Sequence, residues 1–181
     1  MFLFYKYFWT TLISFFSCFQ IIGFITEAIL VFTKARLIFT GISQVKFHWI
    51  CMLLGGLFGL VGFASVYFNK ENNGKPHFVT YHGYIGVISC IALGIQICFG
   101  PISLYHYLLK KFLPLKLIRR GHAAFGIIGY GMAVLAIVLA TYSNWFNKKA
   151  SAIFLWYPVL VFIGIFIFVA NHLRCKYIKH K

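Results

Sequence analysis

The sequence predicts an all-α membrane protein of five transmembrane helices. Three observations predict it: 61% of the 181 residues are hydrophobic and only 10% charged, apolar stretches of bilayer length recur five times, and breakers and charges fall between those stretches. A soluble domain could not cover so much apolar surface. A span of about 20 apolar residues, by contrast, pairs its backbone N–H and C=O groups within itself, as hydrocarbon requires.

The first stretch is residues 8–32. It reads as a retained span, because residues 1–33 contain no small-residue cleavage site after the apolar run. The other four are residues 48–68, 81–100, 122–142 and 152–170. Short connections separate them, carrying Lys34 and Arg36, Asn72, Asn73 and Gly74, Pro101 and Pro114, then Lys148 and Lys149. There is no tandem repeat and no low-complexity linker, so residues 1–181 read as a single transmembrane domain.

Charge sets the expected orientation. There are 17 Lys and Arg against two acidic residues, Glu27 and Glu71. Lys6, Lys70, Lys75, Lys148 and Lys149 fall on one side of the membrane, and the other twelve fall in the first connection, the third connection and the C-terminal tail. The positive-inside rule then puts the N-terminus outside and the C-terminus in the cytoplasm. Basic residues so placed reflect topology and attraction to lipid headgroups rather than nucleic-acid binding.

The five cysteines form no C-x-x-C or zinc-like spacing, and Cys18, Cys51, Cys90 and Cys98 lie within spans, so they read as small packing residues. Histidine carries the specific signal, because an imidazole in a membrane is costly and tends to face a bundle interior or a functional group. His48, His82 and His122 open the second, third and fourth stretches. On the deduced topology His48 and His122 lie near the cytoplasmic face and His82 near the opposite one. His106, His172 and His180 lie in basic connection or tail sequence and read as solvated. Glu27, the one acidic residue within a span, reads either as part of a polar pathway or as an interfacial group beside Lys34.

Residues 4, 7, 11 and 14 apart share a helical stripe. From His48 that stripe carries Gly55, Gly59 and Gly62; from His122, Gly126, Gly129 and Ala133; from His82, Gly86. A histidine beside a smooth small-residue face can hold a flat macrocycle through axial ligation, and haem fits that description. Small-x-x-x-small stripes equally serve close helix packing without any cofactor. Zinc fits less well, because no cysteine or carboxylate complement accompanies the histidines.

The segments Thr26-Glu27-Ala28, Lys46-Phe47-His48-Trp49, His77-Phe78-Val79-Thr80-Tyr81-His82-Gly83 and Gly121-His122-Ala123-Ala124-Phe125-Gly126 resemble the cytochrome b561 family, particularly its ascorbate-dependent transmembrane ferrireductase branch. The resemblance covers residues 24–146 well and the last span weakly. It implies a four-helix core holding b-type haem, with His48 and His122 as ligands of the cytoplasmic-side haem and His82 as one ligand of a second. The second ligand of that other haem is expected near the start of the first span, where Phe8-Trp9-Thr10-Thr11 contains no histidine. The family's usual first span is also absent, so the chain reads as shortened or divergent at its N-terminal end.

The implied activity is transmembrane electron transfer as an ascorbate ferrireductase-like oxidoreductase. Ascorbate is the expected donor, and ferric iron or monodehydroascorbate the expected acceptor. Lys46, Arg119 and Arg120 border the His48/His122 end, where cations would concentrate an anionic donor. Lys75, His77 and Tyr81 adjoin His82 and resemble the family's non-cytoplasmic substrate site. The protein is expected in an endomembrane or the plasma membrane, with lipid as its surroundings, and a homodimer is compatible with the resemblance. A non-catalytic haem-binding subunit and a small haem-free transporter or channel are the alternatives.

Overall fold

The computed structural model describes residues 17, 20–32, 41–105, 114–144 and 156–177. The N-terminal half of the first expected span, His106, Lys148, Lys149 and His180 lie outside them. Among the described residues there are five helices and no strand: α1 (Gln20–Leu30), α2 (Gly41–Glu71), α3 (Tyr81–Leu104), α4 (Leu115–Ala140) and α5 (Trp156–Tyr177). Three are long and apolar enough to cross a membrane, over Ile42–Glu71, Tyr81–Leu104 and Leu115–Ala140. Their large apolar side chains face outward, with Leu60 70% and Phe125 69% exposed. Only lipid makes that surface inexpensive, and the chain is an integral membrane protein. In α5 the apolar stretch is shorter, Val159–His172, and α1 is described only from Gln20.

The helices overrun the apolar stretches. α2 begins at Gly41 and α4 at Leu115, each seven residues before the expected start. Hydropathy registers only the part in hydrocarbon, whereas the helix continues through polar residues because each further turn satisfies its own backbone. Pro114 stands at the N-cap of α4, where its missing N–H costs no intrahelical hydrogen bond. α3 starts where expected because Thr80 caps it, its Oγ1 accepting the Gly83 N–H at 3.1 Å. Pro101 lies inside α3, which ends at Leu104.

The chain forms two compact units, Met1–Val79 and Thr80–Lys181. In the first, α1 and α2 form an antiparallel hairpin. Contact runs from Ser17 against Gly62, through Phe24 stacked on Phe58 at 5.6 Å, to Phe32 against His48 at 5.2 Å. In the second, α3 packs on α4 and α4 on α5. Tyr130 and Val134 of α4 and Val169 of α5 are among its buried residues, and Tyr130 meets Phe166 at 6.2 Å.

Candidate functional site

His48 is the eighth residue of α2, two turns inside the helix rather than at its opening. Its Nδ1 lies 2.8 Å from the Ala28 carbonyl of α1. The last carbonyls of a helix lack intrahelical partners, and here side chains of α2 supply them. Gln44, one turn before His48, donates from Nε2 to the Val31 carbonyl at 3.4 Å. The hairpin therefore closes on polar contacts at this end and on glycine contacts further along.

His82, the second residue of α3, repeats the arrangement in the other unit, its Nδ1 lying 2.8 Å from the Ala136 carbonyl of α4. Ala136 is buried. His122 is the eighth residue of α4 and half-buried, with its Nδ1 itself buried. It shares the stripe of Gly129 and Ala136, both of which meet α3.

The glycine stripes divide between the two roles that sequence leaves open. A Cβ at Gly55 would lie 3.5 Å from the Ile21 carbonyl oxygen and from Phe24 and Ile25, and one at Gly62 would lie 2.7 Å from Ser17 Cβ. Gly59 faces Ile21 at 3.8 Å. The expected ring-facing stripe of α2 is thus a packing stripe, filled by α1. On α4, Gly129 meets Ala92 at 3.5 Å, again as packing. Gly126 and Gly86 meet nothing within 4 Å, so beside His122 and His82 there is room that a Cβ would reduce.

The segment after α2 folds back on its last turns. Lys70 Nζ donates to the Pro76 carbonyl at 3.1 Å, and Lys75 N–H to the Lys70 carbonyl at 3.0 Å. Gly74 takes φ +57° in the turn, where glycine has no steric penalty. Phe78 takes φ 52°, unusual for a bulky residue, and its ring stacks on Phe63 at 6.4 Å. His77 is held on both sides, stacked on Tyr67 at 4.4 Å with its Nε2 3.0 Å from Glu71 Oε2. Of its expected companions, Lys75 is exposed and Tyr81 is 83% exposed. Lys46 and Arg119 are exposed and Arg120 half-buried, each near the N-terminal end of its helix.

Residues 14–147 match the family model of eukaryotic cytochrome b561. The chain belongs to that family. Similar curated proteins are the transmembrane reductase CYB561D2 of Homo sapiens, 30% identical over 86% of this chain and 71% of the relative, and that of Mus musculus, also 30% identical over the same shares. The probable transmembrane reductase CYB561D1 of Homo sapiens is 26% identical over 83% of this chain and 68% of its own length. No solved structure matches.

Haem b is the group that cytochrome b561 membership implies, and two histidines are presented as an iron ligand requires. A carbonyl oxygen can only accept, so Nδ1 of His48 and of His82 carries the N–H. The lone pair then resides on Nε2, the tautomer in which a ligating imidazole is usually held by its second hydrogen bond. Neither acceptor is legible in sequence, because every residue offers a carbonyl. Gln44, Glu71 and Tyr67 were likewise not singled out; the i, i+4 relation of Gln44 to His48 is the signal that could have found the first.

Proposed function

We propose that this cytochrome b561 chain carries electrons across a membrane through b-type haem, with ascorbate as donor and ferric iron or monodehydroascorbate as acceptor. The observation that supports it best is the pair of Nδ1–H bonds, from His48 to Ala28 and from His82 to Ala136, each 2.8 Å long. They hold each ring in the tautomer whose lone pair is on Nε2. The relatives named as transmembrane reductases support the same reading.

In this reading His48 and His122 supply the axial ligands of the cytoplasmic-side haem, and His82 one ligand on the opposite side. The pairing rests on the topology expected from the charge distribution, in which the starts of α2 and α4 fall on one side of the membrane and the start of α3 on the other. Haem when bound supplies a one-electron couple whose potential follows its axial ligands and their hydrogen bonds. The chain's own residues do the rest. Lys46, Arg119 and Arg120 attract the ascorbate anion, Lys75, His77 and Tyr81 receive the acceptor, and the apolar helix faces exclude water.

The test is the absorption spectrum of the purified protein before and after ascorbate. Sharp b-type bands that sharpen further on ascorbate addition are expected. Bands that ignore ascorbate would favour a non-catalytic haem-binding subunit, and their absence a haem-free transporter.

A further inference from the structure

Glu71 is one of two acidic residues in the chain, and it is the last residue of α2. The negative end of a helix dipole favours cations at that place, so a carboxylate there does not favour the helix. Its partner is His77, whose Nε2 lies 3.0 Å from Glu71 Oε2. The Glu71 side chain is 62% exposed, and a pair so open to solvent adds little to stability. What the contact does supply is direction.

Tyr67 and Glu71 are four residues apart, on one stripe of α2, and together they hold the imidazole from two sides. The Tyr67 ring stacks on its face, with centroids 4.4 Å apart and planes 25° from parallel. The Glu71 carboxylate takes its edge. The chain after α2 folds back to allow this: Gly74 turns at φ 57°, and Lys70 Nζ donates to the Pro76 carbonyl at 3.1 Å. Phe78, which follows His77, takes φ 52°. A bulky residue keeps such a backbone only where its surroundings enforce it. A carboxylate only accepts, so Nε2 of His77 carries the N–H, and in the neutral ring the lone pair is on Nδ1.

We infer that Glu71 is the positioning residue of His77 at the acceptor face: it holds the ring against Tyr67 with Nε2 bonded to the protein and Nδ1 as the ring nitrogen presented to the acceptor. This rests on the reading of His77 as an acceptor-binding residue. A ring held in this way gives up little rotational freedom when the acceptor arrives, so the gain comes from preorganisation rather than from a new contact.

The test uses the full-length, haem-loaded protein in detergent, with Glu71→Ala, Glu71→Gln, His77→Ala and the double variant Glu71→Ala/His77→Ala. The first readout is the nitrogen-15 spectrum of the histidine rings at alkaline pH, in which His77 is assigned by its disappearance in His77→Ala. The proton is expected on Nε2 in the parent and in Glu71→Gln, whose amide oxygen also accepts, and a mixture of both tautomers in Glu71→Ala. The second readout is reoxidation of the ascorbate-reduced haem by ferric citrate or by monodehydroascorbate. Loss of a residue that orients a metal-bound histidine typically costs about 10–100-fold. At this exposed pair the lower end is expected, so the half-saturating acceptor concentration should rise about 10-fold in Glu71→Ala and stay near the parental value in Glu71→Gln. In the His77→Ala background Glu71→Ala should add nothing, since a residue acting through another is non-additive with it. The positioning role would be overturned by an unchanged His77 tautomer in Glu71→Ala, by Glu71→Gln as impaired as Glu71→Ala, or by an equal further loss in the double variant. Parental half-saturation in His77→Ala would instead overturn the acceptor-site reading beneath it, and the nitrogen-15 spectrum would still decide whether Glu71 orients the ring.

Discussion

Gly62→Ala should loosen the α1/α2 hairpin, whereas Gly55→Ala should not. The added methyl at residue 62 would lie 2.7 Å from Ser17 Cβ, roughly 1 Å inside the usual carbon–carbon contact of about 3.5–4.0 Å. Ser17 is 4% exposed, and the atom struck is a Cβ rather than the tip of a movable side chain. Relief therefore requires moving the backbone at Ser17, which as overpacking costs about 1–3 kcal/mol. At residue 55 the same methyl meets its neighbours at 3.5 Å, ordinary contact. Alanine gains helix propensity over glycine at both positions, by up to about 1 kcal/mol. That gain cancels in the comparison, so the two variants should differ by about 1–3 kcal/mol. Unfolding in mixed detergent, followed by circular dichroism, measures the difference. Equal stability of the two variants would refute the assignment of this stripe to α1 packing.

Gly131→Ala should cost less than Gly62→Ala, although its methyl would lie 2.8 Å from Phe166, because that contact is with a ring edge that can swing aside; the same unfolding assay decides it. Gly126→Leu should leave membrane insertion and helix content intact while lowering haem occupancy, since nothing lies within 4 Å of that position to be displaced; full haem content in the variant would assign the glycine to another role. Reporter fusions should place the N-terminus outside the cytoplasm and Lys181 inside it, and the reverse signals would exchange the two proposed substrate faces.

The membrane class and the positions of three spans, those of α2, α3 and α4, were legible because they depend on composition, which lipid constrains strongly. The start of α3 was legible as well, since Thr80 precedes the apolar run and caps it. The two extra turns of α2 and α4 were not, because Ile42 to Phe47 and Leu115 to Gly121 are too polar in sum to register as hydrocarbon-spanning yet contain nothing that breaks a helix. The glycine stripes were legible as a pattern and ambiguous in meaning. Close packing and ring clearance demand the same small residues at the same period, and only the contacts of Gly55 and Gly62 on α1 separate them. The candidate histidines stood out by type, but the carbonyls that orient His48 and His82 belong to alanines, whose side chains announce nothing.

The most direct measurement is the haem-to-protein ratio of the purified chain beside its His48→Ala, His122→Ala and His82→Ala variants. A six-coordinate b-haem takes two axial protein ligands, and the proposed reading gives the cytoplasmic-side haem both His48 and His122 but the other haem His82 alone. Replacing either should remove most of the bound haem, while His82→Ala should remove little or only a minor spectral component. Undiminished haem in His48→Ala and His122→Ala would contradict the account.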